Sequence, residues 1–178
     1  MTTNIKNEVF ENLTGNEIIF RNFIGAPDAY NPTGKRQFSI ALNEERAEDL
    51  KRKGWNVKLW TSRDGDLSTP FITVEVKYGK YPPKCYLISG RENSNGSIDI
   101  LAKTLLDEDT IGQLDAAEIA KCDIIISPYS WEMNGSRGIK AYAKAIYATT
   151  IMDPLELKYS DFGSDLNDEN LDEYVPFN

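Results

Sequence analysis

In the stretch "RGIKAYAKAIY" (137–147), Lys140, Tyr142 and Lys144 alternate with small apolar residues, and Arg137 precedes them with no acid in between. On an extended chain, alternate side chains share one face. Such a face would present two ammonium groups with a phenol ring between them. Cations suit phosphates and flat rings suit the π-faces of bases, a pairing that holds single-stranded nucleic acid with little regard to sequence. A second stretch, "KYGKYPPKCYLISGR" (77–91), repeats the combination: Lys77, Lys80, Lys84 and Arg91 are interleaved with Tyr78, Tyr81 and Tyr86, again without an acid. Residues 35–63 hold eight bases against four acids, and the acids fall in one helical segment, leaving Lys35, Arg36, Lys58, Trp60 and Arg63 on or beside strands. Arg21 and Phe23, on the first strand read below, complete the candidate set.

Each of these has a plainer account. A ring in a strand commonly packs in the core, and polar-out alternation alone yields a lysine-lined face. Trp55, Trp131 and Tyr147 are assigned to the core on that ground. Three basic, ring-bearing segments in a chain of net charge −8 are nevertheless not what a uniformly solvated surface gives, because such a surface mixes its signs.

Catalytic chemistry has little to build on. Histidine is absent, which removes the commonest general base and the commonest transition-metal ligand. Cys85 and Cys122 have no CxxC spacing, so neither a disulfide framework nor a zinc site is indicated. Asp107-Glu108-Asp109 reads as an exposed helix start, and Asp64-Gly65-Asp66 as a turn, since the rest of a calcium loop is missing. No enzyme, metal or cofactor is expected.

The elements that must position these residues are short. Residues 16–25 and 36–43 read as two strands joined across the turn chemistry of Asn31-Pro32-Thr33-Gly34. Residues 43–54 read as a helix, with Asn43 as N-cap, acids in the first turn, bases in the last and Gly54 as the stop. Strands follow at 55–61, 71–79 and 84–90. "LDAAEIAKC" then suggests a short helix capped by Asp115 with Glu118 at N3. A closing hairpin flanks Asn134-Gly135-Ser136-Arg137-Gly138. About seven strands and two short helices, without β-α-β alternation, predict a mainly β fold: a small, mostly antiparallel barrel of OB type.

Six of the 28 acids lie in residues 160–178, which contain no Lys or Arg, leaving 22 acids against 20 bases in residues 1–159. A nearly neutral nucleic-acid-binding body (1–159) is therefore expected to carry a disordered acidic tail (160–178). That tail ends "NDENLDEYVPFN". A basic, aromatic β-barrel followed by acids and a small hydrophobic tip resembles the single-stranded DNA-binding proteins of bacteria and their bacteriophages. The residues that carry the resemblance are Asp168, Glu169, Asp172, Glu173, Val175, Pro176 and Phe177. In the body, "RNF" and "PYSWEMNGSRGIKAY" are similar to the phage-encoded forms. The resemblance implies an OB-type fold, sequence-tolerant binding of single-stranded DNA during phage replication and recombination, and a tail that recruits partner proteins.

The competing expectation is an acidic DNA mimic that inhibits a host nucleic-acid enzyme. Such a protein would array its acids on the folded body rather than at one end. No apolar run reaches the roughly 20 residues of a membrane-spanning helix, and no basic-then-apolar leader opens the chain. The expected location is the cytoplasm, the host's if the protein is phage-encoded. A homo-oligomer is compatible with the sequence.

Overall fold

The computed structural model describes residues 5–160. The fold is mainly β, of OB type: nine strands form one curled sheet, with two short helices. In chain order the strands are β1 (Glu8–Leu13), β2 (Ile18–Asn22), β3 (Gln37–Ala41), β4 (Val57–Thr61), β5 (Ser68–Glu75), β6 (Lys84–Glu92), β7 (Ile98–Leu106), β8 (Lys121–Met133) and β9 (Ser136–Ile151). The helices are α1 (Glu44–Arg52) and α2 (Pro154–Lys158).

Most pairings are antiparallel, and the exceptions are β5 with β9 and β6 with β9. Ile72 of β5 pairs with Ile40 of β3 and with Val57 of β4. Val74 pairs with Phe38 of β3 and with Ala141 of β9. Since a strand has two edges, β4 and β9 must occupy successive stretches of the same edge of β5, opposite β3. The sheet forks there. Along β9 the same logic puts β8 on one edge, with β5 and then β6 on the other.

The inward face follows from alternation. Phe38 and Ile40 on β3, Ile72 and Val74 on β5, Ile124 and Ile126 on β8, and Ala141 and Ala143 on β9 join one buried cluster with Ala47 and Leu50 of α1. The ends of α1 are those the sequence predicts. The Asn43 side chain accepts from the Arg46 amide at 2.7 Å. At the far end Gly54 N–H donates to the Lys51 carbonyl and Trp55 N–H to that of Leu50, the paired closure that a left-handed glycine makes accessible (Gly54 φ +98°). Leu50 and Trp55 are both buried.

The closing hairpin turns on two residues, Asn134 (φ 52°) and Gly135 (φ 83°), between the paired Met133 and Ser136. Positive φ at both positions is what the tightest hairpin turn requires. Residues 129–137 are all exposed, so the end of this hairpin projects from the barrel as an arm.

Three expectations need correction. Among the described residues the strand count is nine rather than about seven, with β1 and β7 added. No helix starts at Asp115: a 3-10 turn over Ile111–Asp115 ends there, and the Asp115 carboxylate accepts instead from the amides of Phe23 (2.6 Å) and Ile24 (3.1 Å). Those contacts tie the turn to the end of β2. Trp131 is not in the core; it lies on the arm and is 41% exposed. Trp55 is buried as expected, and Tyr147 is half-buried, stacked on Tyr86 with centroids 5.4 Å apart.

Candidate nucleic-acid interface

The face of each strand opposite the core carries the rings and bases. On β9 that face holds Lys140, Tyr142 and Lys144, as alternation predicts, with buried Ala141 and Ala143 between them. On β8 it holds Tyr129, paired with Lys140, and Trp131, paired with Gly138. On β5 it holds Phe71, Thr73 and Glu75; on β4, Lys58 stands opposite Phe71 and Trp60 opposite Thr69.

Where β4 and β9 part along β5, these side chains border a cleft of about 410 Å³. Asn56 and Lys58 line one side, and Tyr129, Trp131, Lys140 and Tyr142 the other, with Gln37, Thr73 and Glu75 between. Tyr129 (55% exposed) and Tyr142 meet edge to face at 5.7 Å. The Trp131 indole lies over Gly138, close enough that a Cβ built there would stand 2.6 Å from Cζ2. Trp60, two residues beyond Lys58 on the same face, is 43% exposed.

Further along the same face, Phe20 (53% exposed) meets Phe71 edge to face at 5.4 Å. Phe20 has φ 51°, an unfavourable value for a bulky residue, at the irregularity in β2 between Ile19 and Asn22. The cost of that conformation turns a large ring toward solvent rather than into the core.

Electrostatically, the cleft is mixed. Lys140 Nζ lies 2.7 Å from Glu75 Oε2, and this contact, more than any other, holds the Lys140 ammonium above its ordinary pKa. Lys58 adds positive charge and Lys35 stands beside Lys140, while Arg137 pairs with Glu132 at 3.7 Å on the arm.

The structure separates the predicted residues into groups. Lys58, Trp60, Lys140 and Tyr142 gather at or beside the cleft. Lys144 and Lys84 continue the β9 face, since Lys84 pairs with Ala145. Lys35 is exposed just before β3, and Arg63 is exposed in the turn between β4 and β5. Lys77, Lys80 and Tyr81 lie exposed on the β5–β6 loop, with Lys80 Nζ 5.6 Å from the Tyr81 centroid. Arg91 pairs with Asp99 at 3.4 Å, at the other end of β6 from Lys84.

Four members of the set are held by the fold itself. Phe23 is 1% exposed and stacks on Phe38 at 5.0 Å, so it is a core ring and no platform for a base. The Arg21 guanidinium donates to the carbonyls of Ile18, Leu114, Ala117 and Gly15 at 2.7–3.1 Å, which occupies its fork. Arg36 donates to the Phe23 carbonyl and lies over Tyr78, 5.7 Å from its centroid. Tyr78 packs against the core, and burial pushes its phenol up to about 12.

Sequence reasoning passed over Tyr129, Trp131, Phe20 and Phe71. The first two were accessible by counting pairs outward from Asn134-Gly135, which sets Tyr129 opposite Lys140. Phe20 had no such signal, because its orientation depends on a bulge. The tail residues Asp168, Glu169, Asp172, Glu173, Val175, Pro176 and Phe177 lie outside the described residues. Among the described residues no cluster of three or more Cys, Asp or Glu side chains is placed to hold a metal ion, and no helix is long and apolar enough to cross a membrane.

The outer face of the curled sheet thus sets tyrosine, tryptophan and lysine side by side around one cleft, rings and cations being the two kinds of group that single-stranded nucleic acid engages. The chain belongs to the phage ssDNA-binding domain family, whose model matches residues 2–174. Among solved structures it is similar to the single-stranded DNA-binding protein from bacteriophage Enc34. The C-terminally truncated form aligns at 10% identity and TM-score 0.47, covering 82% of this chain and 86% of that chain. The form in complex with ssDNA aligns at 11% identity and TM-score 0.43, covering 80% and 85%. The gp2.5 single-stranded DNA-binding protein of bacteriophage T7 aligns at 12% identity and TM-score 0.35, covering 92% and 97%. No curated protein matches the sequence.

Proposed function

We propose that this protein is a non-enzymatic, sequence-tolerant binder of single-stranded DNA whose strand runs over the outer face of β4, β5, β8 and β9. Family membership supports the ligand class. The observation that carries the site is the cleft itself, where Tyr129, Trp131 and Tyr142 stand in solvent-facing positions beside Lys58 and Lys140. Bases stack on the rings and phosphates meet the ammonium groups, neither of which depends on base identity. Lys144 and Lys84 extend the path along β9, and Lys35, Arg63, Lys77, Lys80 and Tyr81 are available to strand beyond the cleft.

In this reading the protein coats single strands during phage replication and recombination in the host cytoplasm. Residues 1–159 bind the DNA. The acids and the Val175-Pro176-Phe177 tip of residues 160–178 recruit partner proteins. The mimic reading finds less support, because several acids of the described body are ion-paired with bases: Glu8 with Arg46 and Lys53, Asp49 with Lys53, and Glu75 with Lys140.

Tryptophan fluorescence tests the reading. Two of the three tryptophans lie on the proposed face and Trp55 is buried. Titration with oligo-dT quenches emission, a matched duplex does so weakly, and raised salt shifts the curve. Silence toward both ligands would overturn the proposal.

A further inference from the structure

Of the charged groups lining the cleft, Glu75 is the one that does not suit a polyanion. Its side chain is 14% exposed, on the same face as Tyr142, with which it pairs across β5 and β9. Its Oε2 is shut off from water and lies 2.7 Å from Lys140 Nζ. Lys140 also sits 5.7 Å from the centroid of the Tyr142 ring. A phosphate arriving beside a base stacked on Tyr142 therefore meets an ammonium group whose charge is already matched.

We propose that Glu75 is a built-in counter-ion for Lys140 that competes with DNA phosphate and lowers the affinity of the cleft for single strands. The proposal rests on the single-stranded DNA reading above. Its physics is that of counterion release. A lysine that parts from a carboxylate to meet a phosphate displaces a cation condensed on the DNA, but the carboxylate left behind takes a cation up and repels the strand, so the net release at this pair is close to zero. The pair thus adds geometry to the site without adding net charge. A strand is held with one fewer effective cation than the lysines of the cleft suggest, which favours its release.

Four proteins form a local charge series: wild type (net zero at the pair), Glu75→Gln (+1), Lys140→Gln (−1) and the double variant (zero). Affinity for oligo-dT is measured across salt. Glu75→Gln binds most tightly, and its slope of log affinity against log salt is steeper than wild type by about 0.7, the contribution of one phosphate on a single strand. Its advantage therefore shrinks about 2.6-fold between roughly 50 and 200 mM salt. Lys140→Gln binds most weakly, and adding Glu75→Gln restores wild-type affinity. A double variant as weak as Lys140→Gln, or a Glu75→Gln variant no tighter than wild type, overturns the proposal. Should the glutamine isostere fail to fold, Glu75→Thr removes the same charge with a good strand former and must give the same order. Wild-type protein that ignores oligo-dT refutes the binding reading itself; wild-type binding with four equal affinities refutes only the role of Glu75.

Discussion

Replacing Gly138 by alanine should damage DNA binding without damaging the fold. Gly138 pairs with Trp131 across the arm. An added Cβ would stand 2.6 Å from Cζ2, 2.7 Å from Cε2 and 2.8 Å from Nε1 of the indole. Ordinary carbon contacts begin near 3.5 Å, so the ring must retreat by about 1 Å. It can do so cheaply, because it is 41% exposed and belongs to the projecting arm rather than the core. The stability cost should stay under about 1 kcal/mol, or about 4 °C in Tm for a chain of this size. A displaced ring loses part of its stacking on a base, which is worth about 1–3 kcal/mol in full. Trp131→Ala therefore weakens oligo-dT binding by about 5- to 150-fold. Gly138→Ala falls between it and wild type, and the double variant is no weaker than Trp131→Ala. Equilibrium titration with thermal melts of each variant measures both quantities. If Gly138→Ala binds as wild type while Trp131→Ala is weak, the glycine does not orient the ring. If Trp131→Ala binds as wild type, the ring is not part of the site.

Arg21→Lys should cost roughly 3 kcal/mol in urea unfolding, because one ammonium cannot reach the four carbonyls that the guanidinium joins, while the folded variant binds oligo-dT normally. Weakened DNA binding at unchanged stability would instead make Arg21 a phosphate ligand. Cys85 and Cys122 are buried, and burial pushes both thiols from 9.0 up to about 12. Both should resist a thiol reagent at pH 8 until urea is added. Because thiols in the unfolded chain ionise near 9 and those in the folded chain near 12, this contribution is intact below pH 9 and is lost as pH rises toward 12, so the urea midpoint should fall over that range. Deleting residues 160–178 should leave oligo-dT binding intact or tighter and abolish capture of replication or recombination proteins; loss of DNA binding would place part of the DNA site in the tail.

Local chemistry made much of this architecture readable. Asn43, the charge gradient of α1 and Gly54 defined a helix to within two residues, because each acts on groups a turn away. The glycine-bearing turn read over residues 134–138 located the arm, although Asn134-Gly135 alone make the turn and Ser136, Arg137 and Gly138 already belong to β9; strand alternation supplied the face shared by Lys140, Tyr142 and Lys144. Residues 98–106 were missed because Ala102, Lys103 and three leucines suit a helix as well as a strand; pairing with β6 holds them extended. Asp115 and Glu118 spelled a capping box, but the carboxylate of Asp115 found the amides of Phe23 and Ile24 just past β2, partners no local pattern announces. Arg21 and Phe23 failed as surface residues for the same reason. Each has the right chemistry for DNA, and each is consumed by contacts about 90 residues distant for Arg21 and 15 for Phe23. The cleft arises from the forked pairing of β5, which the sequence of β5 does not encode by itself.

The arm formed by β8 and β9 has a consequence for how such a protein can change over evolutionary time. Across it Tyr129–Met133 pair with Ser136–Lys140, and its register is set by a two-residue turn. Inserting one residue into each strand would invert every side chain beyond the insertion, whereas inserting two would move the tip outward by about 7 Å with all faces preserved. Descendants of this chain can therefore lengthen or shorten the arm in steps of two residues per strand, each adding or deleting two cross-strand pairs, while the barrel beneath is left unchanged.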